Sequence, residues 1–292
     1  VKPLKPPLEL LQLEALNERL PVNHSLKERI EEKSRNVRAG YKGEQDLVFY
    51  LQFLPEEKYH IFHHLRIEDR YGAFQIDLLL LSSNFFLIVE VKNVRSHVIF
   101  DDMGQVFRIE DEKEFAFQHP VQQVNLQHLR LLRWLKTHHL PPIPIEKIVV
   151  YTNPSVLLKN HTNKKELPKL VMRKDSFLEK IQEFEKMYTT NKLSEKQLVE
   201  ISFQLLVANI EKKDAILRKY NISYEELRKG VICPTCGQAP MIRKGGKWNC
   251  LYCGANSKNA HRTVLAHYGL LVNEYINNRE ARDFLQLDSR HI

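Results

Sequence analysis

The stretch FFLIVEVKN, residues 85–93, decides the fold of this chain. Its five leading apolar residues predict a buried strand, and they are followed by two charged residues, Glu90 and Lys92. Because side chains alternate between the two faces of a strand, these charged side chains share one face. In so apolar a strand, they are expected to form an ion pair or to bind a metal ion, unless the strand end reaches solvent.

Two more carboxylates are predicted near this pair. Asp77 interrupts FQIDLLLL, residues 74–81, a stretch that predicts the adjacent strand. Glu44 lies on the apolar face of a helix predicted over residues 43–54, where an apolar side chain is expected. The sequence therefore places three carboxylates and one lysine in neighbouring elements.

A second helix, predicted from Pro120 to about Thr137, adds further groups. One face of this helix carries Gln123, Gln127, Arg130 and Trp134. With these residues included, several polar groups are expected to converge on one side of a small sheet.

Such a group of residues suits the hydrolysis of a phosphodiester bond. The reaction requires a neutralised transition state and hydroxide near pH 7, which one or two Mg²⁺ or Mn²⁺ ions held by carboxylates provide. Asp77 and Glu90 are the predicted direct ligands, and the Val91 carbonyl is a further predicted ligand. Glu44 is expected to act on the metal through a water molecule.

The remaining predicted catalytic residues are Lys92 and Gln123. The ammonium group of Lys92 is expected to orient the attacking water or to hold charge on the scissile phosphate. Gln123 is expected to position this lysine or the phosphate. The histidines, among them His60, His63 and His64, lack ligand spacing, and we interpret them as surface or core residues without a catalytic role.

The strings that carry these residues resemble the nuclease-related domain family (NERD), of the type found in bacilli: RAGYKGEQDLVFYL (38–51), FQIDLLLL (74–81), LIVEVKN (87–93) and HPVQQVNLQHLRLLRWL (119–135). That family is similar to the PD-(D/E)xK nucleases, so the resemblance implies a restriction-endonuclease-like αβββαβ core. Matched residue by residue, the functional positions of the family fall on Glu44, Asp77, Glu90, Lys92 and Gln123.

The predicted fold class is α/β, and we expect five segments along the chain. They are an N-terminal arm packed on the main domain (1–36), the nuclease-like domain (37–155), a charged helical segment (156–229), a zinc ribbon (230–256) and a C-terminal helical segment (257–292). At 43% hydrophobic and 27% charged residues, the chain is neither disordered nor fibrous. No apolar run reaches the roughly 20 residues of a membrane span. We expect a cytoplasmic protein.

All four cysteines of the chain lie in CPTCG, residues 233–237, and CLYCG, residues 250–254. The spacing C-x₂-C-x₁₃-C-x₂-C predicts two tight turns that present four thiolates to one zinc ion. The terminal glycine of each motif is expected to relieve its turn, and Gly245-Gly246 predicts a hairpin between the two motifs. Four protein ligands leave no open position, so the predicted zinc is structural.

The zinc ribbon and its flanks are rich in basic residues. No acidic residue occurs from 227 to 273, a composition that suits a phosphate backbone. Trp248 and Tyr252 are expected to be exposed and to stack on bases. The predicted nucleic-acid-binding residues are Arg243, Lys244, Lys247, Trp248, Lys258 and Arg262. Zinc ribbons also dock proteins, so a protein partner is the alternative for this module.

The sequence thus favours a cytoplasmic Mg²⁺-dependent nuclease that hydrolyses nucleic acid, with DNA as the preferred substrate, in DNA processing or repair. Two alternatives stay open. One is a catalytically silent nucleic-acid-binding protein built on the same fold. The other is a docking adaptor whose zinc ribbon binds a protein partner.

Overall fold

The structure is a computed structural model that describes residues 1–110, 112–163, 167–212 and 215–287. Its contacts divide the chain into two compact units. The first, here called the sheet unit, comprises residues 1–5 and 39–212. The second, here called the cysteine unit, comprises residues 6–38 and 213–292, of which residues 213–214 and 288–292 lie outside the described part.

The sheet unit is built on a five-stranded sheet in the order β1-β2-β3-β7-β9, in which β1, β2 and β3 are antiparallel neighbours and β3, β7 and β9 are parallel. A second sheet has the order β6-β5-β4-β8. The strands are β1 (His60–Asp69), β2 (Gly72–Leu81), β3 (Phe86–Lys92), β4 (His97–Phe100), β5 (Val106–Glu110), β6 (Lys113–Phe117), β7 (Ile145–Tyr151), β8 (Leu157–Asn160) and β9 (Val171–Arg173).

Helices cover both faces of the five-stranded sheet. They are α2 (Lys27–Leu51), α3 (Pro120–Thr137), α4 (Leu167–Leu170), α5 (Phe177–Met187) and α6 (Glu195–Val207). On one face, Leu131 and Trp134 of α3 pack on Ile88 of β3. On the other, Leu47 of α2 and Ile181 of α5 pack in a second core. Because β3 is covered on both faces, its residues 86–90 are all buried.

The predicted α/β fold class is confirmed, and the elements α2-β1-β2-β3-α3-β7 follow the expected αβββαβ order. The ribbon β4-β5-β6 is inserted between β3 and α3, and its first turn falls on residues 101–104. The predicted helix start at Gly43 was wrong, since α2 begins at Lys27 and continues to Leu51. Neither Gly40 nor Gly43 has a positive φ, so the helix passes through both.

The described residues of the segment from 156 to 229 include two strands besides its helices. β8 pairs with β4 in the second sheet, and β9 extends the first sheet beside β7. Both pairings join residues distant along the sequence, which helical periodicity and charge do not reveal. Ser194 caps α6 in a capping box with Gln197, and Ser223 forms a capping box with Glu226 at one turn of 3₁₀-helix over 224–226.

The cysteine unit surrounds a core of its own. Its elements are α1 (Leu8–Arg19), α7 (Ile216–Tyr220), β10 (Ile242–Lys244), β11 (Lys247–Asn249), β12 (Asn256–Ser257), α8 (Ala260–Leu271) and α9 (Asn278–Leu285). Leu13 and Leu16 of α1 share this core with Trp248 and Tyr268. Apart from residues 1–5, the arm predicted to pack on the main domain belongs to the cysteine unit, because the apolar face of α1 completes the core of that unit.

The C-terminal helical segment consists of α8 and α9 in the described residues. Asn277 caps α9 in a capping box with Glu280, and Phe284 and Leu285 are buried. The helix thus packs on the core of the cysteine unit. Within the described ranges, no helix is both long enough and apolar enough to span a membrane.

Candidate active site and cysteine centre

The candidate active site is built around the charged end of β3. The ammonium group of Lys92 donates a hydrogen bond to Glu90 Oε1 at 2.7 Å and another to Gln123 Oε1 of α3 at 3.0 Å. The side chain of Glu90 is 2% exposed and that of Lys92 is 22% exposed. The buried carboxylate is thus paired, as burial requires, while the lysine remains accessible from solvent.

The second oxygen of the Glu90 carboxylate is also held. Gln127, one helical turn after Gln123 in α3, donates from Nε2 to Glu90 Oε2 at 2.7 Å and to the Gln75 carbonyl at 3.1 Å. At this site Gln127 Oε1 and the Tyr151 hydroxyl are buried and have no hydrogen-bond partner among the described residues. Burial, with the charge of Glu90, raises the pKa of Tyr151 well above its usual value. The phenol is therefore neutral.

Asp77 lies on β2 beside β3. The β2–β3 ladder ends at the pair Leu78 and Val89, and beyond it Asp77 Oδ2 accepts a hydrogen bond from the Val91 backbone N–H at 2.9 Å. Burial and the negative charges of Glu90 and Glu44 raise the pKa of Asp77 well above its ordinary value, against the opposing effects of that hydrogen bond and of Lys92. Three carboxylates are thus close enough to interact.

Glu44 enters the site from α2. Its Oε2 contacts Nε2 of His64 on β1, and both side chains are 15% exposed. Gly43, the preceding residue, allows this approach: a Cβ there would lie 2.6 Å from Thr152 Oγ1 and 2.7 Å from Asn93 Cβ. Any side chain at this position would push the helix away from the ends of β3 and β7.

The donor set matches a hard divalent cation. Asp77 and Glu90 offer carboxylate oxygens, and the repulsion that raises the pKa of Asp77 is the kind that a cation relieves. The oxygens of Glu44, Asp77 and Glu90 do not all lie within 4.8 Å of one another, since in the described residues only the four cysteines form such a group. In such a site Glu44 would act through a water molecule, because Mg²⁺ keeps several of its waters.

The four cysteines form one cluster in the cysteine unit. The sulfurs of Cys233, Cys236, Cys250 and Cys253 all lie within 4.8 Å of one another, with pairs at 3.7 Å and 3.5 Å. A tetrahedron with Zn–S bonds of about 2.3 Å has sulfurs about 3.8 Å apart. The cluster can therefore hold a zinc ion with four protein ligands.

The local turns of the cysteine centre follow the sequence prediction. Gly237 and Gly254 have φ of 70° and 73°, and each donates its N–H to the carbonyl of the first cysteine of its motif. Gly245 and Gly246 also have positive φ and connect β10 to β11. These are backbone conformations that residues with a Cβ rarely adopt.

The basic residues of this module are mostly exposed, whereas Trp248 is not. Trp248 is 1% exposed, donates its indole N–H to His261 Nδ1 at 3.1 Å, and is covered by Arg243. The prediction of an exposed, stacking Trp248 was wrong, because β11 turns this side chain into the core. Tyr252 is 66% exposed as predicted, and the exposed basic residues are Lys244, Lys247, Lys258 and Arg262.

Comparison with models of protein families gives a match to part of the chain. Residues 39–152 match the family model described as the nuclease-related domain, NERD. The matched range begins in α2 and ends directly after β7, so it contains Glu44, Asp77, Glu90, Lys92 and Gln123. This part of the chain is therefore similar to a nuclease-related domain. A search of curated proteins and a search of solved structures gave no match.

Of the five predicted catalytic residues, direct hydrogen bonds join Glu90, Lys92 and Gln123. Asp77 is linked to them through the Val91 N–H and by charge, and Glu44 by charge. Sequence reasoning gave no role to Gln127 or His64. The sequence contained an indication for Gln127, since this residue lies one turn from Gln123 on the same face of the helix. The contact of His64 with Glu44 depends on tertiary structure.

Proposed function

We propose that this protein is a metal-dependent nuclease that hydrolyses phosphodiester bonds, with DNA as its substrate. The observation that carries the proposal is the position of Lys92, whose ammonium group is bonded to Glu90 and Gln123. A structural ion pair would need only the carboxylate. The additional amide, together with the nearby Asp77, gives the lysine a fixed direction at an accessible strand end.

In this proposal, Asp77, Glu90 and the Val91 carbonyl hold Mg²⁺ or Mn²⁺. The ion, when bound, supplies a Lewis acid and lowers the pKa of a bound water. The protein side chains orient the reacting groups and stabilise charge. Lys92 orients the attacking water or stabilises charge on the scissile phosphate, and Gln123 fixes the lysine. Glu44 holds a water on the side of the site that faces α2.

The cysteine unit supplies nucleic-acid affinity in this proposal. Lys244 and Lys247 pair across the β10–β11 hairpin, so their charges lie side by side at its tip. Lys258 and Arg262 add charge in the stretch that lacks acidic residues. Basic side chains at an exposed tip bind phosphates with little dependence on sequence. The four thiolates hold a structural zinc that maintains this surface.

A docking adaptor is the second candidate, and one observation favours it. Leu251 and Tyr252, between the third and fourth cysteines, are 72% and 66% exposed. A leucine so exposed contributes nothing to phosphate binding but would suit an apolar pocket of a protein partner. In the adaptor reading, Leu251→Ser would abolish partner binding and leave DNA affinity unchanged.

The deciding experiment incubates the full chain with labelled single-stranded, duplex and branched DNA. We expect cutting with Mg²⁺ or Mn²⁺, none with EDTA, and none with Lys92→Ala. Lys196→Ala, at an exposed position on α6, is the matched control and should cut like the wild type. Equal cutting by Lys92→Ala and wild type would assign the activity to another site or a contaminant. If the wild type binds DNA but does not cut it with any divalent metal ion, the protein is a catalytically silent nucleic-acid-binding protein.

A further inference from the structure

His64 occupies an unusual place in the sheet. Its neighbours His63 and Leu65 pair with Leu78 and Ile76 of β2, so His64 lies opposite Asp77, and this position is missing from the ladder. The φ of His64 is 49°, a left-handed conformation that is uncommon for a residue with a Cβ. Phe62 and Leu65, three residues apart, consequently face the same core. The strand therefore changes the face of its side chains at His64.

The N-terminal residues support this backbone conformation. Lys2 bridges to Phe62, with backbone hydrogen bonds of 3.0 Å to Ile61 and His63. Its ammonium group donates to the carbonyls of His63 at 2.8 Å and His64 at 2.6 Å. Lys2 thus binds the carbonyls of His63 and His64 and holds the left-handed backbone at His64 in place.

The left-handed backbone at His64 directs its imidazole towards α2. Its Nε2 contacts Oε2 of Glu44, and both side chains are largely shielded from solvent. Glu44 is also one of the two carboxylates whose charge acts on Asp77. A carboxylate on a helix side chain has several rotamers, and this contact selects one that meets the sheet at His64, the position opposite Asp77.

We infer that His64 is a positioning residue of the candidate active site, holding the Glu44 carboxylate in the orientation that binds a metal-bound water. The inference rests on the proposed function. The alternative is a purely structural role, in which the contact of His64 with Glu44 only stabilises the packing of α2 on β1. That view predicts a loss of stability in variants and no specific loss of metal affinity. Partners that orient metal-site groups typically change affinity or activity 10- to 100-fold when they are removed.

The test measures Mn²⁺ affinity by electron paramagnetic resonance and single-turnover DNA cutting on the zinc-loaded full chain. Asp77→Ala serves as the blank for Mn²⁺ bound elsewhere. We expect His64→Ala to weaken Mn²⁺ affinity and slow cutting about 10- to 100-fold. His64→Gln, whose amide can replace the ring N–H, should recover most of both. Glu44→Ala should show the same loss, and the double variant His64→Ala with Glu44→Ala should lose nothing more.

His60→Gln is the matched control, because His60 lies at the other end of β1 and contacts Ser202. It should leave both readouts unchanged. Normal Mn²⁺ affinity and cutting in His64→Ala would overturn the role of His64 and leave the nuclease intact. A wild type that binds Mn²⁺ without cutting would overturn the nuclease alone, and the affinity series would still decide the role of His64. A wild type that neither binds nor cuts overturns both.

Discussion

Gln127 and Glu90 are joined by a hydrogen bond of 2.7 Å between Nε2 and Oε2, deep beneath the accessible Lys92. Gln127 is 5% exposed and Glu90 is 1% exposed. With Lys92 on its other oxygen, the carboxylate is held at both ends. Its orientation is therefore set before any metal or substrate binds, which is the preorganisation that a metal site requires.

Replacing Gln127 with methionine should destabilise the protein. The side chain keeps its length but donates nothing, so Glu90 Oε2 is left buried without its partner. Leaving a buried hydrogen-bond acceptor without its partner lowers the free energy of unfolding by about 1 to 3 kcal/mol. Urea denaturation can resolve a difference of this size. Gln122→Met, at an exposed position on the same helix, should change little. An equal effect of both variants would mean that the bond to Glu90 contributes nothing.

Asp77→Asn should abolish cutting without loss of stability. Burial and the charges of Glu90 and Glu44 disfavour the ionised form of Asp77 in the metal-free protein, as its raised pKa indicates. The neutral amide removes this repulsion. Added Mg²⁺ should raise the Tm of the wild type, because a ligand that binds only the folded state stabilises it, and should not raise that of Asp77→Asn. Matching Mg²⁺ responses would place the ion elsewhere.

Removing zinc should unfold the cysteine unit beyond the ribbon. Cys233 and Cys250 lie in the same core as Leu13 and Trp248, so the loss should spread to α1, further than the ribbon alone. The two tryptophans of the chain allow a clean measurement. In Trp134→Phe, chelation should shift the emission of Trp248 to the red. In Trp248→Phe, the emission of Trp134 in the sheet unit should stay unchanged, and a shift there would contradict this view.

The salt dependence of DNA binding should show how much the lysines of the β10–β11 hairpin contribute to binding. Deleting residues 230–292 would also remove the core that covers α1, so charge changes are the better probe. Lys244→Gln with Lys247→Gln should make the slope of log K against log salt shallower by about 1.8 on duplex DNA, or about 0.9 per contact. Lys192→Gln with Lys196→Gln is the matched pair. An unchanged slope in the hairpin variant would favour the docking adaptor.

The stability of the cysteine unit should fall in acid partly through His267. Burial, followed by the charge of Arg19, lowers the pKa of His267 to about 4, and Arg19 Nε donates to its Nδ1. A carboxylate also faces the ring, since Glu18 Oε2 lies 3.9 Å from Nε2 of His267. The unfolded state therefore binds the proton more tightly. The neutral, buried His267 therefore stabilises the folded state fully above about pH 6.5, and this contribution is lost as the pH falls towards 4.

His267→Asn keeps an acceptor for Arg19 but does not titrate. Between pH 7 and 4, the wild type should lose about 2 to 3 kcal/mol more unfolding free energy than this variant. Trp248 emission during urea denaturation gives both values in the Trp134→Phe background. Release of zinc affects both proteins, so their difference isolates the histidine. Parallel pH profiles would show that His267 does not control acid stability.

Much of this protein follows from local sequence. The apolar run before Glu90 could only form a buried strand, and period-two alternation placed Lys92 on the same face. The cysteine spacing and its glycines predicted the turns, because a positive φ there nearly requires glycine. The same reasoning placed Gln123 on the face of α3 that meets the sheet. Each of these inferences depends on residues a few positions apart.

Tertiary structure decided the rest. The face of Trp248 depends on what packs beside β11, and a core formed with α1 turned it inward against the expectation of a stacking surface. His64 meets Glu44 only because β1 reverses its face opposite Asp77, supported by Lys2. These contacts join residues far apart along the chain. Periodicity carries no information about them, since their energies arise only when separate elements pack together.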